Sequence, residues 1–319
     1  MVDTTPSIPP LVATPASLER LLDAVRVECP DLDFGTPLRL IEGFEKWIVV
    51  GDSWVARFPK SEAAAAAMGR ERRLVNYLAG RTTAAIPRTL HVGGEVAFDV
   101  CTKMPGTPLW DNGHESWRMW PAARQARCAE DVGAFLAELQ ATLTIENGRA
   151  LGCGQPAFPY PPSELASRLS GRLADAESER FLARTLGEYE VLCVMPDDLA
   201  LLHNDLIPHN CLVDPRTGAL TGVVDFGDAC IGDRHQDFQY LEGLFGPELV
   251  EAAIRRYEAI TGRALLRWRI ALYHALAMLS HVAFAFEDPV ARQLEMKLGW
   301  IRLLAGDPNR RLTTPDRGA

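Results

Sequence analysis

Two short segments of the chain carry oxygen-bearing side chains at a spacing suited to phosphoryl transfer. The first covers residues 202–210 and reads L-H-N-D-L-I-P-H-N; the second covers residues 223–228 and reads V-V-D-F-G-D. Phosphoryl transfer requires a carboxylate near the attacking hydroxyl and Mg²⁺ held against the phosphates, and Mg²⁺ prefers oxygen ligands. Asp205, Asn210 and Asp225 supply such oxygen atoms, so the two segments predict a site for this chemistry.

The elements around these segments are expected to bring the three side chains together. Asp205 and Asn210 lie on a loop that enters a short strand, and Asp225 ends the next strand. The residues between the strands, D-P-R-T-G at 214–218, are typical of a hairpin turn. In the alternative interpretation Asp205 caps a turn, Asn210 supports it and Asp225 is a surface residue. That alternative requires three spacings to match by chance.

The remaining pattern predicts strands first and helices later. A helix is expected from Ser17 to near Pro30, and an Ala-rich helix from Glu62 to about Leu78. From Pro121 onward apolar residues recur mostly at helical spacing. Strands are expected at residues 38–42, 47–50, 53–58 and within 96–104, with a hairpin turn at Gly51-Asp52. This order predicts an α+β fold.

Composition excludes several classes of protein. The net charge is −9 over 319 residues, which argues against nucleic-acid binding and weakly favours cationic ligands. The seven cysteines include no CxxC pair and are expected to be buried thiols in a reducing compartment. No signal peptide is evident. The most apolar stretch, 271–286, contains two histidines and a serine and predicts a buried helix. We expect a cytoplasmic protein, a monomer or weak dimer, without a nucleic-acid or membrane partner.

The order of the two segments matches H-x-D-x-x-x-x-N followed by D-F-G, the catalytic and metal-binding loops of protein kinases. Asn204 replaces the usual Arg, however, and no A-P-E motif follows. The stretches H-N-D, G-V-V-D-F-G-D-A and I-G-D-R-H-Q-D-F instead resemble the aminoglycoside phosphotransferase family. The 2″-aminoglycoside enzymes are the most similar in motif and the macrolide phosphotransferases come second. The resemblance covers roughly residues 35 to 245.

This resemblance implies a two-lobed, protein-kinase-like α+β fold. Residues 1–104 would form a small β-rich lobe that binds nucleotide, and 105–319 a larger, mainly helical lobe that carries the catalytic and acceptor sites. Residues 1–14 and 307–319 are expected to be flexible.

The resemblance also implies roles for individual residues. Asp205 would orient the acceptor hydroxyl or accept its proton, while Asn210 and Asp225 would bind Mg²⁺. His203 would brace the catalytic loop, and Asp237 would help to hold it.

The amino-terminal residues correspond to the nucleotide side of such a site. In W-V-A-R-F-P-K, Arg57 would occupy the position of the kinase strand lysine that contacts the phosphates, with Lys60 as the alternative. Glu71 would be its helix partner. The alternative for Glu71 is an exposed glutamate paired with Arg70 or Arg73.

Gly43 and the run from Thr102 to Met104 are further candidates for contact with ATP or GTP. Gly43 stands where a turn would cover the phosphates, although a lone glycine is often only a turn residue. Backbone groups from Thr102 to Met104 would bind the purine, unless this run is simply an edge strand.

The acceptor is the least constrained part of the prediction. An aminoglycoside carries ammonium groups and would require carboxylates, whereas Phe286 and Trp300 would suit a macrolide. We expect γ-phosphate transfer from ATP or GTP to an aminoglycoside hydroxyl. A macrolide 2′-phosphotransferase, a metabolic kinase for an amino alcohol or sugar, and a non-catalytic nucleotide-binding relative are the alternatives. The candidate acceptor carboxylates, each of which could instead be a solvated or capping residue, are Asp233, Glu242, Glu287 and Asp288.

Overall fold

The chain divides into two compact units in a computed structural model. The first comprises Met1–Trp117 and His209–Gly227, and the second comprises Arg118–Pro208 and Asp228–Ala319. The predicted lobe boundary at residue 104 stays a prediction, and the predicted flexible ends lie outside the described residues. The structure describes residues 15–35, 38–43, 45–94, 97–109, 116–156, 159–173, 175–192, 194–241, 246–287 and 292–306.

A five-stranded antiparallel sheet forms the centre of the first unit, with strand order β1-β2-β3-β5-β4. The three predicted amino-terminal strands are confirmed to within one residue, as is the turn at Gly51-Asp52. In the register Lys46 lies opposite Pro59, and Arg57 lies opposite Asp99. The strands are β1 Arg39–Glu42, β2 Lys46–Val50, β3 Trp54–Pro59, β4 Thr89–Val92 and β5 Asp99–Thr102.

The described part of this unit contains the helices α1 (Pro15–Glu28) and α2 (Glu62–Leu78). Helix α2 has the predicted bounds because the Ser61 side chain caps it by accepting a hydrogen bond from the Ala64 N–H at 3.1 Å. One face of α2 is buried, and it includes Glu71 among apolar residues. The apolar core of the sheet contains Trp54, Phe58 and Phe98.

A second, three-stranded antiparallel sheet completes the first unit, in the order β6-β8-β9. Its strands are β6 (Thr107–Pro108), β8 (Cys211–Val213) and β9 (Leu220–Val223). The predicted hairpin turn joins β8 to β9, and Gly218 has φ 77° there, a conformation that favours glycine.

The second unit is mainly helical, as predicted. Strands β7 (Leu199–Leu202) and β10 (Cys230–Asp233) pair antiparallel, and the 3₁₀ turn Arg234–Phe238 follows β10. Its helices are α3 Ala122–Thr142, α4 Ile145–Ala150, α5 Pro162–Leu169, α6 Ala176–Glu190, α7 Pro247–Thr261, α8 Arg267–Ala285 and α9 Arg292–Ala305.

Close packing holds these helices together. A Cβ atom on Gly133 of α3 would lie 2.1 Å from the Ala253 carbonyl oxygen of α7, so this crossing requires glycine. The predicted apolar helix is α8, which is buried over much of its length. Among the described helices, none is long and apolar enough to cross a membrane. The six described cysteines are free thiols, and all but Cys29 are buried.

Candidate active site

The β8–β9 hairpin brings two of the predicted metal ligands to one end. Cys211 lies opposite Val223, and the Val224 N–H donates to the Asn210 carbonyl oxygen at 3.0 Å. Asn210 therefore precedes one strand at the same end of the hairpin where Asp225 follows the other.

Both chemistry-bearing segments contain a residue with an unusual backbone conformation. Within the described part of the chain, Asn204 (φ 65°) and Asp225 (φ 62°) are the two non-glycine residues with positive φ. This conformation costs on the order of 1 kcal/mol or more and is common at functional sites. The Asp225 side chain is 50% exposed, so the strained residue presents its carboxylate to solvent.

Lys46, the first residue of β2, makes ion pairs with two carboxylates of the first unit. Its Nζ lies 3.2 Å from Glu71 Oε2 and 3.1 Å from Asp225 Oδ1. Burial lowers the pKa of this ammonium, but Glu71 and Asp225 together outweigh the burial and raise the pKa above its ordinary value. Lys46 therefore stays protonated at neutral pH.

Arg57 of β3 is held by two buried carboxylates. Its Nε and Nη2 donate to Asp99 Oδ1 and Oδ2, both at 2.8 Å, and its Nη1 donates to Glu71 Oε1 at 2.7 Å. The expected contact between Arg57 and Glu71 is thus present, whereas an Arg57 contact with phosphates stays a prediction. Burial lowers the pKa of the guanidinium, but the hydrogen bonds and charges of Asp99 and Glu71 raise it well above its usual value.

These side chains form a charged cluster that includes Asp225, one of the two predicted metal ligands. Lys46 and Arg57 carry two positive charges, and Glu71, Asp99 and Asp225 carry three negative charges, so the cluster is net negative. Asp225 and the neighbouring Asn210 offer oxygen donors of the kind that Mg²⁺ prefers. No group of three or more His, Cys, Asp or Glu side chains suited to a metal occurs within the described ranges. A kinase-type site does not require one, because phosphate oxygens and water complete the coordination.

The remaining nucleotide candidates of the first unit have simpler surroundings. Lys60 follows the end of β3 and pairs with the exposed Glu42 at 3.0 Å. The Gly43 N–H donates to the Lys46 carbonyl oxygen at 2.9 Å, and a Cβ on Gly43 would lie 3.0 Å from the same oxygen. Gly43 thus closes the β1–β2 turn tightly. Nothing in these contacts assigns either residue a ligand.

The end of β5 is fixed by backbone hydrogen bonds. The Thr102 N–H donates to the Arg88 carbonyl oxygen at 2.9 Å, and the Lys103 N–H donates to that of Ser53 at 3.0 Å. Within the ranges that the structure describes, the N–H of Met104 has no such backbone partner. Met104 is therefore the residue of this run whose donor could serve a purine.

The second unit contains the predicted catalytic loop and the residue expected to hold it. Asp237 Oδ1 accepts from the Asn204 N–H at 2.8 Å, and its Oδ2 accepts from the His203 N–H at 3.3 Å and from Gln140 Nε2 at 3.2 Å. The fully buried His203 ring accepts the Asp205 N–H at Nδ1, at 3.3 Å. Asp205 itself is partly exposed.

Burial governs the ionisation of Asp237. It raises the pKa of this carboxyl to about 6, against the lowering effect of the hydrogen bonds from Asn204, Gln140 and His203. The carboxylate is needed because three donors converge on it, and an apolar side chain would leave all three unsatisfied.

The candidate acceptor carboxylates are in unlike environments. Asp233 is 3% exposed, and its oxygens contact Tyr273 Oη at 3.0 Å, Arg269 Nη2 at 2.7 Å and His235 Nδ1 at 2.5 Å. This environment argues for a structural role in place of acceptor contact. Glu287 is exposed and pairs with Arg168. Glu242 and Asp288 lie outside the described residues.

Sequence reasoning missed Lys46 and Asp99. Lys46 has a usable signal, because the chain contains 33 Lys and Arg residues and only four of them are lysines. Asp99 has a weaker signal, an acidic residue placed between the apolar residues Phe98 and Val100. Its pairing with Arg57 depends on β3 and β5 being neighbours, which local spacing does not reveal.

Comparison with known proteins places these features in context. A profile described as the phosphotransferase enzyme family matches residues 38–272. The aminoglycoside 3'-phosphotransferase of Streptomyces fradiae is 38% identical over 71 residues, which are 20% of this chain and only 26% of that protein. The viomycin phosphotransferase of Streptomyces vinaceus is 28% identical over 222 residues, covering 67% of this chain and 75% of the relative.

Solved structures share the architecture. The GDP complex of aminoglycoside 2'-phosphotransferase-IIIa has a TM-score of 0.75 and 22% identity, covering 90% of this chain and 98% of that one. This likeness confirms the predicted kinase-like α+β fold.

Proposed function

The chain belongs to the phosphotransferase enzyme family, and we propose that it transfers the γ-phosphate of ATP or GTP to a hydroxyl of an antibiotic, an aminoglycoside foremost. The observation that carries the proposal is the backbone conformation of Asp225 together with its exposure and its ion pair. Its carboxylate stands on a left-handed backbone, is half exposed, and is paired with a buried lysine that is itself fixed by Glu71 of α2. A strained carboxylate held next to a protonated lysine suits the binding of phosphates and their metal ion.

The proposed roles are distributed over both units. Asn210 and Asp225 would hold Mg²⁺, which neutralises charge on the transferring phosphoryl group when it is bound. Asp205 would orient the acceptor hydroxyl and receive its proton. The hydrogen bonds of Asp237 and His203 to the loop backbone support that role, because they restrict where the Asp205 side chain can point.

The nucleotide side of the proposal uses the turn at Gly43 and the run from Thr102 to Met104. The tight Gly43 turn would allow the β1–β2 connection to approach phosphates closely, and the Met104 N–H would serve the purine. We retain residue 104 as the boundary of the nucleotide-binding lobe, since this run follows the last residue of β5.

The proposed class of acceptor is based on the names of two relatives and on the net charge of this chain. The curated relatives named above act on an aminoglycoside and on viomycin, according to their names. A net charge of −9 favours polycationic acceptors. Glu287 stays a candidate for acceptor contact because it is exposed.

The test is a coupled assay of ADP and GDP release against a panel of acceptors. Wild-type protein is combined with ATP or GTP and with an aminoglycoside, viomycin, a macrolide or an amino alcohol such as choline, and the Asp205→Ala variant serves as the matched blank. We expect an aminoglycoside to stimulate ADP or GDP release by the wild-type protein and to have no such effect on Asp205→Ala. If only the macrolide or only the amino alcohol stimulates release, that compound's class replaces the aminoglycosides as the proposed acceptor. Nucleotide binding without any stimulated release would favour a non-catalytic relative.

A further inference from the structure

Two basic side chains contact opposite oxygens of the Glu71 carboxylate, and their surroundings differ. Arg57 approaches Oε1 and also makes two hydrogen bonds to Asp99. Asp99 is 0% exposed. Arg57 could turn towards a ligand only by leaving a fully buried carboxylate without its partner, which is strongly unfavourable. The guanidinium is therefore committed to the interior of the first unit.

Lys46 contacts the other oxygen of the Glu71 carboxylate, and its second partner, Asp225, lies at the surface. Its Nζ bridges the buried Oε2 of Glu71 and the half-exposed Asp225 carboxylate. An ammonium group has three N–H donors, and the described residues use two of them. The third donor and the position beside Asp225 leave this cation able to contact a further anion.

We propose that Lys46 of β2 is the residue that contacts the nucleotide phosphates in this chain, and that Arg57 of β3 ties Glu71 to Asp99. Kinases usually take this lysine from β3 and pair it with a helix glutamate. Here the same glutamate is present, but the β3 position is occupied by a buried arginine and the lysine comes from the adjacent strand. The inference rests on the proposed function, because it presupposes a bound nucleotide.

The small number of lysines makes a direct test possible on the wild-type protein. The probe is an acyl phosphate of ATP, a mixed anhydride between a tagged carboxylic acid and the γ-phosphate. If wild type binds GDP and not ADP, then GTP, GDP and guanosine replace ATP, ADP and adenosine in this test and in the next. The reaction is run in alkaline buffer, because Lys46 is protonated at neutral pH. A lysine amine that has lost its proton to the buffer attacks the acyl carbonyl, the bond from the acyl carbon to the phosphate oxygen breaks, and ATP leaves with the bonding electron pair. The nitrogen gives up one further proton to the buffer, and the new amide keeps the tag. Peptide mapping should find the tag on Lys46, and excess ADP should suppress it. A tag on Lys60, Lys103 or Lys297 in its place, or no ADP-protected tag, overturns the proposal.

Calorimetric titration of variants gives a second, independent test. The affinities for ADP and for adenosine are measured for wild type, Lys46→Met and the rival variant Lys60→Met. Lys46→Met should bind ADP roughly 10- to 100-fold more weakly with adenosine affinity retained, because a charge-assisted hydrogen bond to phosphate is lost. Lys46→Arg should recover part of the loss. Thermal unfolding in the absence of ligand confirms that each variant is folded.

The outcomes separate this inference from the function on which it rests. If wild type binds nucleotide and phosphorylates an acceptor while Lys46→Met keeps the full preference for ADP over adenosine, only the role of Lys46 is wrong. A loss confined to Lys60→Met would transfer the role to Lys60. If wild type binds neither ADP nor GDP, both the inference and the proposed function fail.

Discussion

Replacing Arg57 by Met should destabilise the first unit far more than the loss of a surface ion pair. Asp99 is 0% exposed and Glu71 is 3% exposed. Among the described residues, the substitution removes the cation that pairs with Asp99 and leaves Lys46 as the one cation paired with Glu71. Breaking a buried pair by removing one partner costs about 3–5 kcal/mol, whereas exposed pairs contribute about 0–1 kcal/mol. We expect a loss in the upper range, since Asp99 loses two hydrogen bonds at once.

A matched substitution and a double variant test whether the loss of stability in Arg57→Met comes from the buried carboxylate that is left unpaired. Arg26→Met removes an arginine whose pair with Asp23 is exposed, and its cost should stay within about 1 kcal/mol. Arg57→Met combined with Asp99→Leu removes both partners of the bidentate pair and should recover much of the stability, because no buried charge is left unpaired at that position.

The assay is hydrogen–deuterium exchange of peptides from β3 and α2, which reports the free energy of opening in the first unit separately from the second. Arg57→Met should accelerate exchange in both peptides strongly, and Arg26→Met should change it little. If Arg57→Met costs less than about 1 kcal/mol, or if the double variant is no better than the single one, the buried cluster does not stabilise the unit in the way described.

Three further predictions concern the proposed chemistry. Asp205→Ala should lower kcat at least about 100-fold while nucleotide affinity stays intact, and retained turnover would contradict the assignment. Asp225→Ala should abolish the effect of Mg²⁺ on ADP affinity, measured by calorimetry with and without the ion; an unchanged metal effect would rule out the ligand role. The pKa of Asp237, about 6 against 3.8 for a free carboxyl, means that between about pH 4 and 6 the folded state binds a proton that the unfolded state has lost. Stability should therefore fall by about 3 kcal/mol as pH rises through this window, and Asp237→Asn should remove that slope from denaturation curves.

Local signals were sufficient to predict much of the fold. The bounds of α2 were predicted from an Ala-rich run, and the hairpin of β8 and β9 was predicted from a turn sequence between two apolar runs. These features depend on residues only a few positions apart, so the sequence displays them directly. The contact of Arg57 with Glu71 was also predictable, because a strand followed by a helix is the usual setting for this pair.

The features that were missed depend on pairing across long stretches of chain. Lys46 and Asp225 are 179 positions apart, and only the folded first unit brings them to 3.1 Å. Burial is equally hidden in sequence. Asp233 and Glu287 both appear as acidic residues near helical segments, yet one is enclosed by Tyr273 and Arg269 and the other is exposed.

Asp99 explains why the phosphate-binding cation would come from β2 in this chain. A buried carboxylate opposite position 57 requires two parallel donors, and a guanidinium supplies them in a rigid fork while a third N–H reaches Glu71. A lysine at position 57 could not satisfy both carboxylates with the same geometry. Once Arg57 is fixed in this way, the charge beside Asp225 has to come from another strand, and Lys46 reaches it from the adjacent β2. The identity of one residue on β5 thus accounts for both the arginine on β3 and the use of a lysine on β2.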